Sequence, residues 1–377
     1  MSTPTAALPA PGTTGPVRVV GTGLLGTSVG LGLRRLGVDV VLHDPSRTAL
    51  ALARDVGAGR PAEAGDGPPA LVVVAAPPDV TARVVVEELA AHPDAVVTDV
   101  ASVKGHVLDE LRLAGADLSR YVGSHPMAGR ERSGPSAAVP ELFLGRPWVL
   151  VGSGTTTPAA LAAVRALAVD LGAVPVVMDA DEHDAAVAVV SHVPQVAASL
   201  VAARLQEADE RALALAGQGL RDVTRIAASD PALWTSILAA NSAAVRAVLA
   251  DLRTDLDGVI AALDAATAAT GPETVELGAL AVLARTVAAG NAGVARVPGK
   301  HGGAARPYAL VAVLVPDVPG QLARLLTDVG EAGVNLEDLT LEHAAGRPVG
   351  MAVIAVLPGS AAHLEAELTA RGWRLVR

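Results

Sequence analysis

The chain has 377 residues, of which 51% are hydrophobic and 18% charged; this is typical of a well-buried globular protein of more than one domain. A formal net charge of -10 argues against a general nucleic-acid partner, since no basic cluster stands out to neutralise phosphates. The absence of cysteine excludes disulfides, thiolate metal ligands and a thiol nucleophile, and we predict no metal site.

The N-terminal stretch and the apolar runs bear on where the protein works. Residues 1–16 are rich in Thr, Pro and Ala and lack the positive start and apolar core of a signal peptide, so we predict a disordered tail. The longest apolar runs are interrupted by Gly, Pro or charges before they reach membrane-spanning length. We therefore expect a cytoplasmic protein without a membrane partner.

A glycine-rich turn follows the first predicted strand, 17–20. A helix over 27–36 and a second strand over 38–44 come after it, which completes a βαβ unit. In such a unit the first glycine permits the tight turn, the second admits a pyrophosphate and the third lets helix and strand pack closely. The helix N-terminus offers amide donors to the phosphates. The pattern predicts a dinucleotide site at Gly21, Thr22, Gly23, Leu24, Leu25 and Gly26. The alternative is a turn that only joins strand to helix.

The residues around this turn bear on which dinucleotide binds. Asp44 closes the second strand, where a carboxylate can hydrogen-bond the adenosine ribose hydroxyls, and it favours NAD over NADP. Arg47 follows closely and is able to hold a 2′-phosphate, which leaves NADP open. A further strand over 71–78 ends in small residues that let a cofactor pass, so we add Ala76 and Pro77 to the cofactor site.

Two residues further along are candidates for chemistry. Ser102 follows a predicted strand, 96–100, and precedes a helix that runs through Leu113. Its hydroxyl either caps that helix or lies at the carboxyl end of the sheet, where ligands of open α/β folds bind; both roles can hold together. His125 lies in a Gly-rich loop over 123–134, and loops placed by a rigid scaffold are where chemistry usually sits.

The pattern changes after the predicted dinucleotide-binding domain, 17–179. Residues 180–290 read as long Ala, Leu and Val helices whose apolar faces are too extensive for one thin layer to bury, which predicts dimerisation. A proline inside a helical run frees backbone groups, so His192 and Gln195 are expected to face a cavity. Arg225 needs a carboxylate partner, either from a ligand or from Asp222 one turn away.

The last part of the chain forms a unit of its own. Residues 291–306 read as a linker, and strands and helices alternate over 307–377 in the order βαββαβ. That order is typical of a small ferredoxin-like domain.

Residues 17–290 resemble the prephenate/arogenate dehydrogenase family in four motifs. They are Gly21-x-Gly23-x-x-Gly26, Asp99-x-x-Ser102-Val103-Lys104, Gly123-Ser124-His125-Pro126-Met127-Ala128-Gly129, and Asp222-x-x-Arg225-Ile226-Ala227 followed by Trp234. Residues 307–377 resemble an ACT domain, with the stretch 315–320 at its strand-to-helix turn. The resemblance implies an α/β protein with an N-terminal Rossmann-like NAD domain, an all-α dimerisation domain and a C-terminal ferredoxin-like (βαββαβ) ACT domain.

The resemblance also implies an activity, the NAD-dependent oxidative decarboxylation of prephenate to 4-hydroxyphenylpyruvate in L-tyrosine biosynthesis. His125 would accept the C4 hydroxyl proton, since the ordinary pKa of histidine is close to the working pH. Ser102 would bind the same hydroxyl or orient His125, beside the cofactor. Arg225 would hold the ring carboxylate through a bidentate fork.

Further residues carry roles that the family implies. Glu131 and Asp222 would form a charged gate with the arginines, and Trp234 would reach the site of the neighbouring subunit. Tyrosine is the expected effector at the ACT domain. The full substrate-binding set is Arg225, His192, Gln195, Glu131, Arg130, Asp222 and Trp234.

Two departures from the family pattern leave the substrate open. Gln195 stands where prephenate-using relatives often carry a histidine, and a neutral amide suits the zwitterionic side chain of arogenate at least as well. Arg130 stands where some relatives have a small polar residue, and an extra cation would favour prephenate. The alternative activity is therefore that of an arogenate dehydrogenase, which gives L-tyrosine directly.

Two other interpretations compete with this one. A different small-acid dehydrogenase would usually place a catalytic lysine or aspartate in the first helix after the nucleotide domain, whereas residues 181–200 offer His183 and His192 and no lysine. A catalytically dead NAD and amino-acid sensor would not need Ser102, His125 and Arg225 together.

Overall fold

In the computed structural model, the described residues are 10–129, 132–268, 278–298, 308–343 and 349–376. Contacts divide the chain into two compact units, Met1–Leu252 and Arg253–Arg377. Arg130, Glu131 and residues 299–306 of the predicted linker lie outside the described residues.

The described part of the predicted tail is ordered, which corrects the expectation of disorder for those residues. The Asp170 carboxylate accepts hydrogen bonds from Gly12 N at 3.2 Å, from Thr13 N at 2.7 Å and from Thr13 Oγ1 at 2.6 Å. Thr13 is buried as a result. Composition alone gives no sign of this carboxylate, which lies more than 150 residues along the chain.

The first unit holds an eight-stranded sheet. Its strands are β1 (Val17–Val20), β2 (Val40–His43), β3 (Arg60–Pro61), β4 (Leu71–Val74), β5 (Val96–Asp99), β6 (Tyr121–Pro126), β7 (Pro147–Val151) and β8 (Val174–Val177). The spatial order is β3-β2-β1-β4-β5-β6-β7-β8. The first six strands in that order are parallel, β7 is antiparallel to β6, and β8 is parallel to β7. This is the predicted Rossmann-like arrangement.

Helices cover both faces of the sheet, and its central strand β4 is a fully buried apolar run. They are α1 (Leu24–Arg35), α2 (Arg47–Asp55), α3 (Pro78–Ala91), α4 (Gly105–Leu113) and α5 (Pro158–Asp170). Alternate strand residues enter different cores: Val19 and Val73 pack into one cluster, whereas Val20, Val72 and Val74 pack into the other. The sequence patterns did not indicate β3, α2 or α3, nor the reversed direction of β7.

A helical region follows the sheet. It consists of α6 (Ala180–Val187), a five-residue π-helical turn (Ala188–His192), α7 (Val193–Arg204), α8 (Glu210–Leu213), α9 (Gln218–Thr224), α10 (Pro231–Ala240), α11 (Ser242–Ala268) and α12 (Ala279–Val294). Pro194 lies two residues after the π turn, inside a helical run that continues from α6 into α7. Because proline has no N–H and its ring crowds the preceding turn of an α-helix, the wider π turn accommodates it there.

One helical run, Ala180–Glu207, is 28 residues long and apolar enough to cross a membrane by length and composition. The expectation that no apolar run reaches that length is therefore wrong for this segment. The same run buries four polar side chains, His183, Asp184, His192 and Gln195. Burying polar groups inside a protein requires hydrogen-bond partners, and each of the four has at least one.

The second unit ends in a four-stranded antiparallel sheet. Its elements are β9 (Ala309–Pro316), α13 (Gln321–Glu331), β10 (Asp338–His343), β11 (Val349–Val356), α14 (Pro358–Ala370) and β12 (Arg374–Val376). The spatial order is β10-β11-β9-β12, with every pair antiparallel. The element order is the predicted βαββαβ, and the arrangement is ferredoxin-like. Gly320 takes a φ of +87° at the turn into α13.

Candidate active site

The glycine turn after β1 has the geometry that a dinucleotide requires. Gly21 has a φ of +98°, and a Cβ there would overlap the carbonyl oxygen of Ala75. A Cβ on Gly26 would overlap the carbonyl oxygen of Gly21, so the third glycine lets α1 pack against the turn. A Cβ on Gly23 would meet no atom of the described residues within 4 Å. The backbone at Gly23 is therefore open to a close ligand, and these residues fit NAD.

Asp44 lies beside this turn at the end of β2. Its Oδ2 accepts hydrogen bonds from Thr22 N at 2.6 Å and Thr22 Oγ1 at 2.9 Å, and its Oδ1 accepts one from Ser46 N at 2.7 Å. A carboxylate offers about four acceptor positions, so capacity remains for a ribose hydroxyl. Arg47 is the exposed first residue of α2. Ala76 and Pro77 follow β4, the strand next to β1.

A buried charge pair supports the neighbouring strands. Lys104 Nζ contacts Asp99 Oδ1 and donates to the carbonyl oxygen of Ser124 at 2.7 Å, while Tyr121 donates its hydroxyl to Asp99 Oδ2 at 2.7 Å. Burial lowers the pKa of Lys104, although Asp99 opposes that shift. Burial and the Asp99 charge raise the pKa of Tyr121. The pair joins the end of β5 to β6 immediately before His125.

His125 lies at the end of β6 and is half-buried. Its Nδ1 lies 2.9 Å from Nε2 of His183, whose Nδ1 lies 2.7 Å from Asp184 Oδ1. Burial is the main cause that holds the pKa of His125 well below its ordinary value, and positive charge on His183, Lys104 or His192 would add to the shift. His125 is therefore neutral at neutral pH and able to accept a proton.

Ser102 does not cap α4, which corrects that alternative. The first amides of the helix, Lys104 N and Gly105 N, instead donate to the Asp184 carboxylate at 2.9 and 2.8 Å. Ser102 is half-buried, and its hydroxyl makes no hydrogen bond to His125 or to any other described residue. It is therefore available to a ligand at the carboxyl edge of the sheet.

His192 is held at the bend between α10 and α11. These two helices meet at 93°, and Asn241 lies at the corner. Asn241 Nδ2 donates to the carbonyl oxygen of Asp184 at 2.8 Å and lies 3.1 Å from His192 Nδ1. The Trp234 ring stands edge-on to His192 in the same chain, with the ring centroids 6.0 Å apart. Burial lowers the pKa of His192 to about 4, so it is neutral.

The remaining predicted substrate residues lie around α7. Gln195 is buried and makes two long hydrogen bonds of 3.4 Å, to Ser199 Oγ and from Ser229 Oγ. Arg225 begins a short 3-10 turn that packs on α7, and its side chain is exposed. Asp222 accepts a hydrogen bond from Gln218 Nε2 at 2.7 Å.

Several functional partners are not evident from the sequence. His183 contacts His125, Asn241 contacts His192, and Asp184 contacts His183. Of these three partners, only His183 is noted from the sequence alone. A signal is present, since a His-Asp pair in an otherwise apolar helical run is costly to bury without a purpose. Asp99 and Lys104 are visible within a motif, but their pairing is not.

A doubly wound sheet with a dinucleotide turn and a neutral histidine at the same edge defines an NAD-dependent dehydrogenase. Two family models match the chain: the prephenate dehydrogenase nucleotide-binding domain over residues 29–177 and the prephenate dehydrogenase dimerization domain over residues 179–270. The protein described as probable prephenate dehydrogenase NovF from Streptomyces niveus is 41% identical over 360 residues, which cover 94% of this chain and 98% of that one. The chain belongs to the prephenate dehydrogenase family.

Two solved structures are also similar. The prephenate dehydrogenase of Aquifex aeolicus, in complex with hydroxyphenyl propionate and NAD⁺, has 26% identity and a TM-score of 0.63, covering 74% of this chain and 97% of that one. The arogenate dehydrogenase of Synechocystis has 26% identity and a TM-score of 0.58, covering 73% and 99%.

Proposed function

We propose that the protein catalyses the NAD-dependent oxidative decarboxylation of prephenate to 4-hydroxyphenylpyruvate, a step that supplies L-tyrosine biosynthesis. The observation that carries this proposal is the neutral, half-buried His125 at the carboxyl edge of the NAD-binding sheet. The near full-length similarity to NovF supports the same substrate class. We place the activity in the cytoplasm.

The chemistry assigns a definite task to His125. The glycine turn at Gly21, Gly23 and Gly26 would hold NAD⁺, which would supply the acceptor for the hydride that leaves C4 of the ring. As that carbon gains carbonyl character, the hydroxyl proton moves to Nε2 of His125. The bond to the ring carboxylate breaks, carbon dioxide leaves and the electron pair remains in the ring, where it restores aromaticity. The oxygen then takes the proton back as a phenol, so no net proton is released.

The other residues bind and orient the substrate. Ser102, whose hydroxyl is unbonded by the described residues, would donate to the C4 oxygen beside the cofactor. Arg225 would hold the ring carboxylate bidentately until it leaves. Because aromatisation drives the reaction, positioning and the proton acceptor are what the protein must supply.

The substrate side chain is assigned to the region around α7. His192 and Gln195 are buried there, and both hydrogen bonds of the Gln195 amide are long, which leaves capacity for a ligand. Trp234 would close the pocket from its place beside His192. Asp222 would form a charged gate with Glu131 and Arg130, of which the last two lie outside the described residues.

A second candidate activity is that of an arogenate dehydrogenase. The observation that favours it is the buried neutral amide of Gln195, which can accept from an ammonium group as readily as it can donate to a keto acid. The likeness to the Synechocystis arogenate dehydrogenase agrees with this alternative.

The test is NADH formation, followed by absorbance, with prephenate and arogenate side by side and each repeated with NADP. We expect turnover of prephenate with NAD. Turnover of arogenate alone would transfer the assignment to the second candidate. No reduction with any of the four pairs would contradict both and return the chain to the sensor interpretation.

We further propose a homodimer built by the helical region. The matched family domain is a dimerization domain. On α11, Leu256, Ile260 and Leu263 are all exposed at helical spacing, and α12 exposes Leu280, Val287 and Val294. Apolar stripes of this kind are usually covered by a partner. Sedimentation of the full chain should give twice the monomer mass, and a Leu256→Glu, Ile260→Glu double variant should give the monomer.

The division of the chain that we propose is 17–179 for the dinucleotide-binding domain, 180–290 for the helical domain, 291–306 for the linker and 307–377 for an ACT regulatory domain. The support for an ACT domain is the βαββαβ order and the turn at Gly320. Tyrosine would bind there and inhibit. If a chain truncated after Gly290 were inhibited by tyrosine as strongly as the full chain, the effector site would have to lie elsewhere.

A further inference from the structure

Three ionisable groups form a line that starts at the catalytic candidate. His125 Nδ1 lies 2.9 Å from His183 Nε2, and His183 Nδ1 lies 2.7 Å from Asp184 Oδ1. His183 is fully buried, so water does not compete for either bond. The line therefore runs from a ring that faces the site to a carboxylate in the interior.

The direction of the hydrogen bonds in this line is set at Asp184. Its carboxylate also accepts hydrogen bonds from two amides at the N-terminal end of α4, from the N-cap residue Lys104 at 2.9 Å and from Gly105 at 2.8 Å. Burial by itself would raise the pKa of Asp184, but the hydrogen bonds from His183 and from these amides outweigh burial and lower it. Asp184 is therefore ionised, and an ionised carboxylate only accepts hydrogen bonds.

Gly105 is part of the same arrangement. A Cβ built on Gly105 would lie 2.9 Å from Asp184 Oδ2, closer than side chains normally approach. The absence of a side chain at this position thus admits the carboxylate to the end of α4. There it meets the positive end of the helix dipole as well as the two amides.

The tautomers of both histidines follow from the ionised carboxylate. His183 must donate from Nδ1, and a neutral imidazole then carries a lone pair on Nε2. His125 must donate from Nδ1 to that lone pair, which leaves its own Nε2 without a hydrogen. Among the described residues no hydrogen bond reaches His125 Nε2. A bare nitrogen that faces the site is what a proton acceptor requires.

We propose that His183 and Asp184 are positioning residues that hold His125 in the tautomer able to accept the substrate proton. The inference rests on the proposed function, and it assigns the two residues to the same reaction. When a proton arrives at His125 Nε2, the Nδ1–H bond to His183 strengthens, and the Asp184 carboxylate offsets the positive charge through His183. The proton stays on His125 until the ring oxygen takes it back. A carboxylate behind a histidine acts in the same way in Ser-His-Asp hydrolases.

Other charged groups face this line from the elements packed around it. Lys104 lies behind Ser124 and is paired with Asp99. His192, which Asn241 contacts, is neutral because burial lowers its pKa to about 4. With Lys104 already paired, Asp184 is the carboxylate placed to balance a proton on His125.

Asp184→Asn tests the proposal through kinetics. The amide keeps the size of the side chain but removes the charge and offers a donor where an acceptor is needed. We expect kcat to fall about 10²-fold or more, with the acidic limb of the pH profile displaced to lower pH because an anion is lost. The affinity for NAD should not change. Wild-type kcat together with an unmoved acidic limb would overturn the proposal.

Control substitutions separate positioning from loss of packing. Glu182→Gln removes one carboxylate from an exposed position of the same helix, α6, and should leave kcat and the pH profile unchanged. His183→Gln can still accept from His125 and donate to Asp184, whereas His183→Leu can do neither. We expect kcat to decrease in the order wild type, His183→Gln, His183→Leu; equal kcat in the two His183 variants would contradict a role in hydrogen bonding.

A spectroscopic measurement tests the tautomer without any turnover. In ¹⁵N-histidine spectra of the ligand-free full chain, His125 should be protonated at Nδ1, with the signal assigned from the His125→Asn variant. Protonation at Nε2 in the wild type would overturn the proposal. Since no substrate is needed, a chain inactive on prephenate and arogenate would contradict the proposed function and leave the tautomer result intact.

Discussion

The eight-stranded sheet of the first unit ends in buried charge, whereas the four-stranded sheet of the second unit is packed with hydrocarbon. At the edge of the first sheet, Lys104, Asp99 and Ser124 are essentially inaccessible to solvent and bonded to one another. In the second sheet, Val313 and Ile354 pack against Leu325 and Leu364 of the two helices. Among the described residues, all of the fully buried polar side chains belong to the first unit.

Polar groups of the second unit lie closer to the surface. Trp373 donates its indole N–H to Asp328 at 2.7 Å, and Arg371, which is 26% exposed, pairs with Asp328 and Glu331. Such partly exposed pairs contribute little to stability, whereas a buried charge that loses its partner costs several kcal/mol. The first unit therefore buries a charge pair beside its candidate site, whereas the described charge pairs of the second unit remain partly exposed.

Among the substitutions that test the first unit, His125→Asn has the largest expected effect. Removing the proton acceptor should lower kcat by about 10²–10⁴-fold, while NAD still binds because the glycine turn is untouched. Steady-state kinetics and NADH fluorescence titration measure the two quantities separately. Undiminished turnover would remove the role assigned to His125.

Lys104→Met tests the cost of the buried charge. The variant leaves the Asp99 carboxylate buried without its cation, so we expect the free energy of unfolding to fall by about 3–5 kcal/mol. Urea denaturation measures this change. A loss below about 1 kcal/mol, the value of an exposed pair, would show that the Asp99–Lys104 pair does not behave as a buried one.

As the pH falls, the first unit should lose stability before the second unit does. The pKa of folded His192 is about 4, against an ordinary value of 6.5, and that of His125 is also lowered. Above pH 6.5, His192 is neutral in both the folded and the unfolded chain. Between pH 6.5 and about 4, the unfolded chain binds a proton at His192 that the folded chain does not, so the free energy of unfolding decreases as the pH falls. Denaturation at a series of pH values, followed by hydrogen exchange of each unit, should show the first unit weakening sooner. Parallel weakening of both would contradict this reasoning.

Arg371→Met is the matched change in the second unit, since it removes one cation from a cluster of carboxylates. Because the pairs of Arg371 are partly exposed, the expected loss is no more than about 1 kcal/mol, with kcat unchanged. The same denaturation and kinetic assays as for Lys104→Met give the comparison directly. A loss as large as that of Lys104→Met would abolish the contrast between the two sheets.

Much of the fold is predictable because its signals are local. The strand Leu71–Val74 is a continuous apolar run that prolines stop, and the glycine turn after Val20 has spacing that few other structures require. The βαββαβ order likewise follows from alternating patterns within a short segment. The reversed β7 is not predictable, since strand direction depends on how a distant connection returns to the sheet.

The candidate site is predictable only in part. His125 can be selected because a titratable residue stands in a glycine-rich loop, but its partner His183 lies 58 residues further along the chain. Local spacing points to nearby Ser102 as the cap of α4, whereas the carboxylate that takes those amides comes from Asp184, 80 residues away. Local spacing identifies the groups that do chemistry, and the tertiary fold decides which groups stand behind them.

The five-residue π turn at Ala188–His192 has a consequence for helix phase. Nine residues separate His183 from His192, which is about two and a half turns of regular α-helix and would place the two rings on opposite sides. A π turn is wider than an α turn and changes the phase, so that His192 and the backbone carbonyl of Asp184 both reach Asn241. The side chains before and after the π turn therefore follow different helical phases. The part of the run before the π turn presents His183 to His125, and the turn itself presents His192 to Asn241.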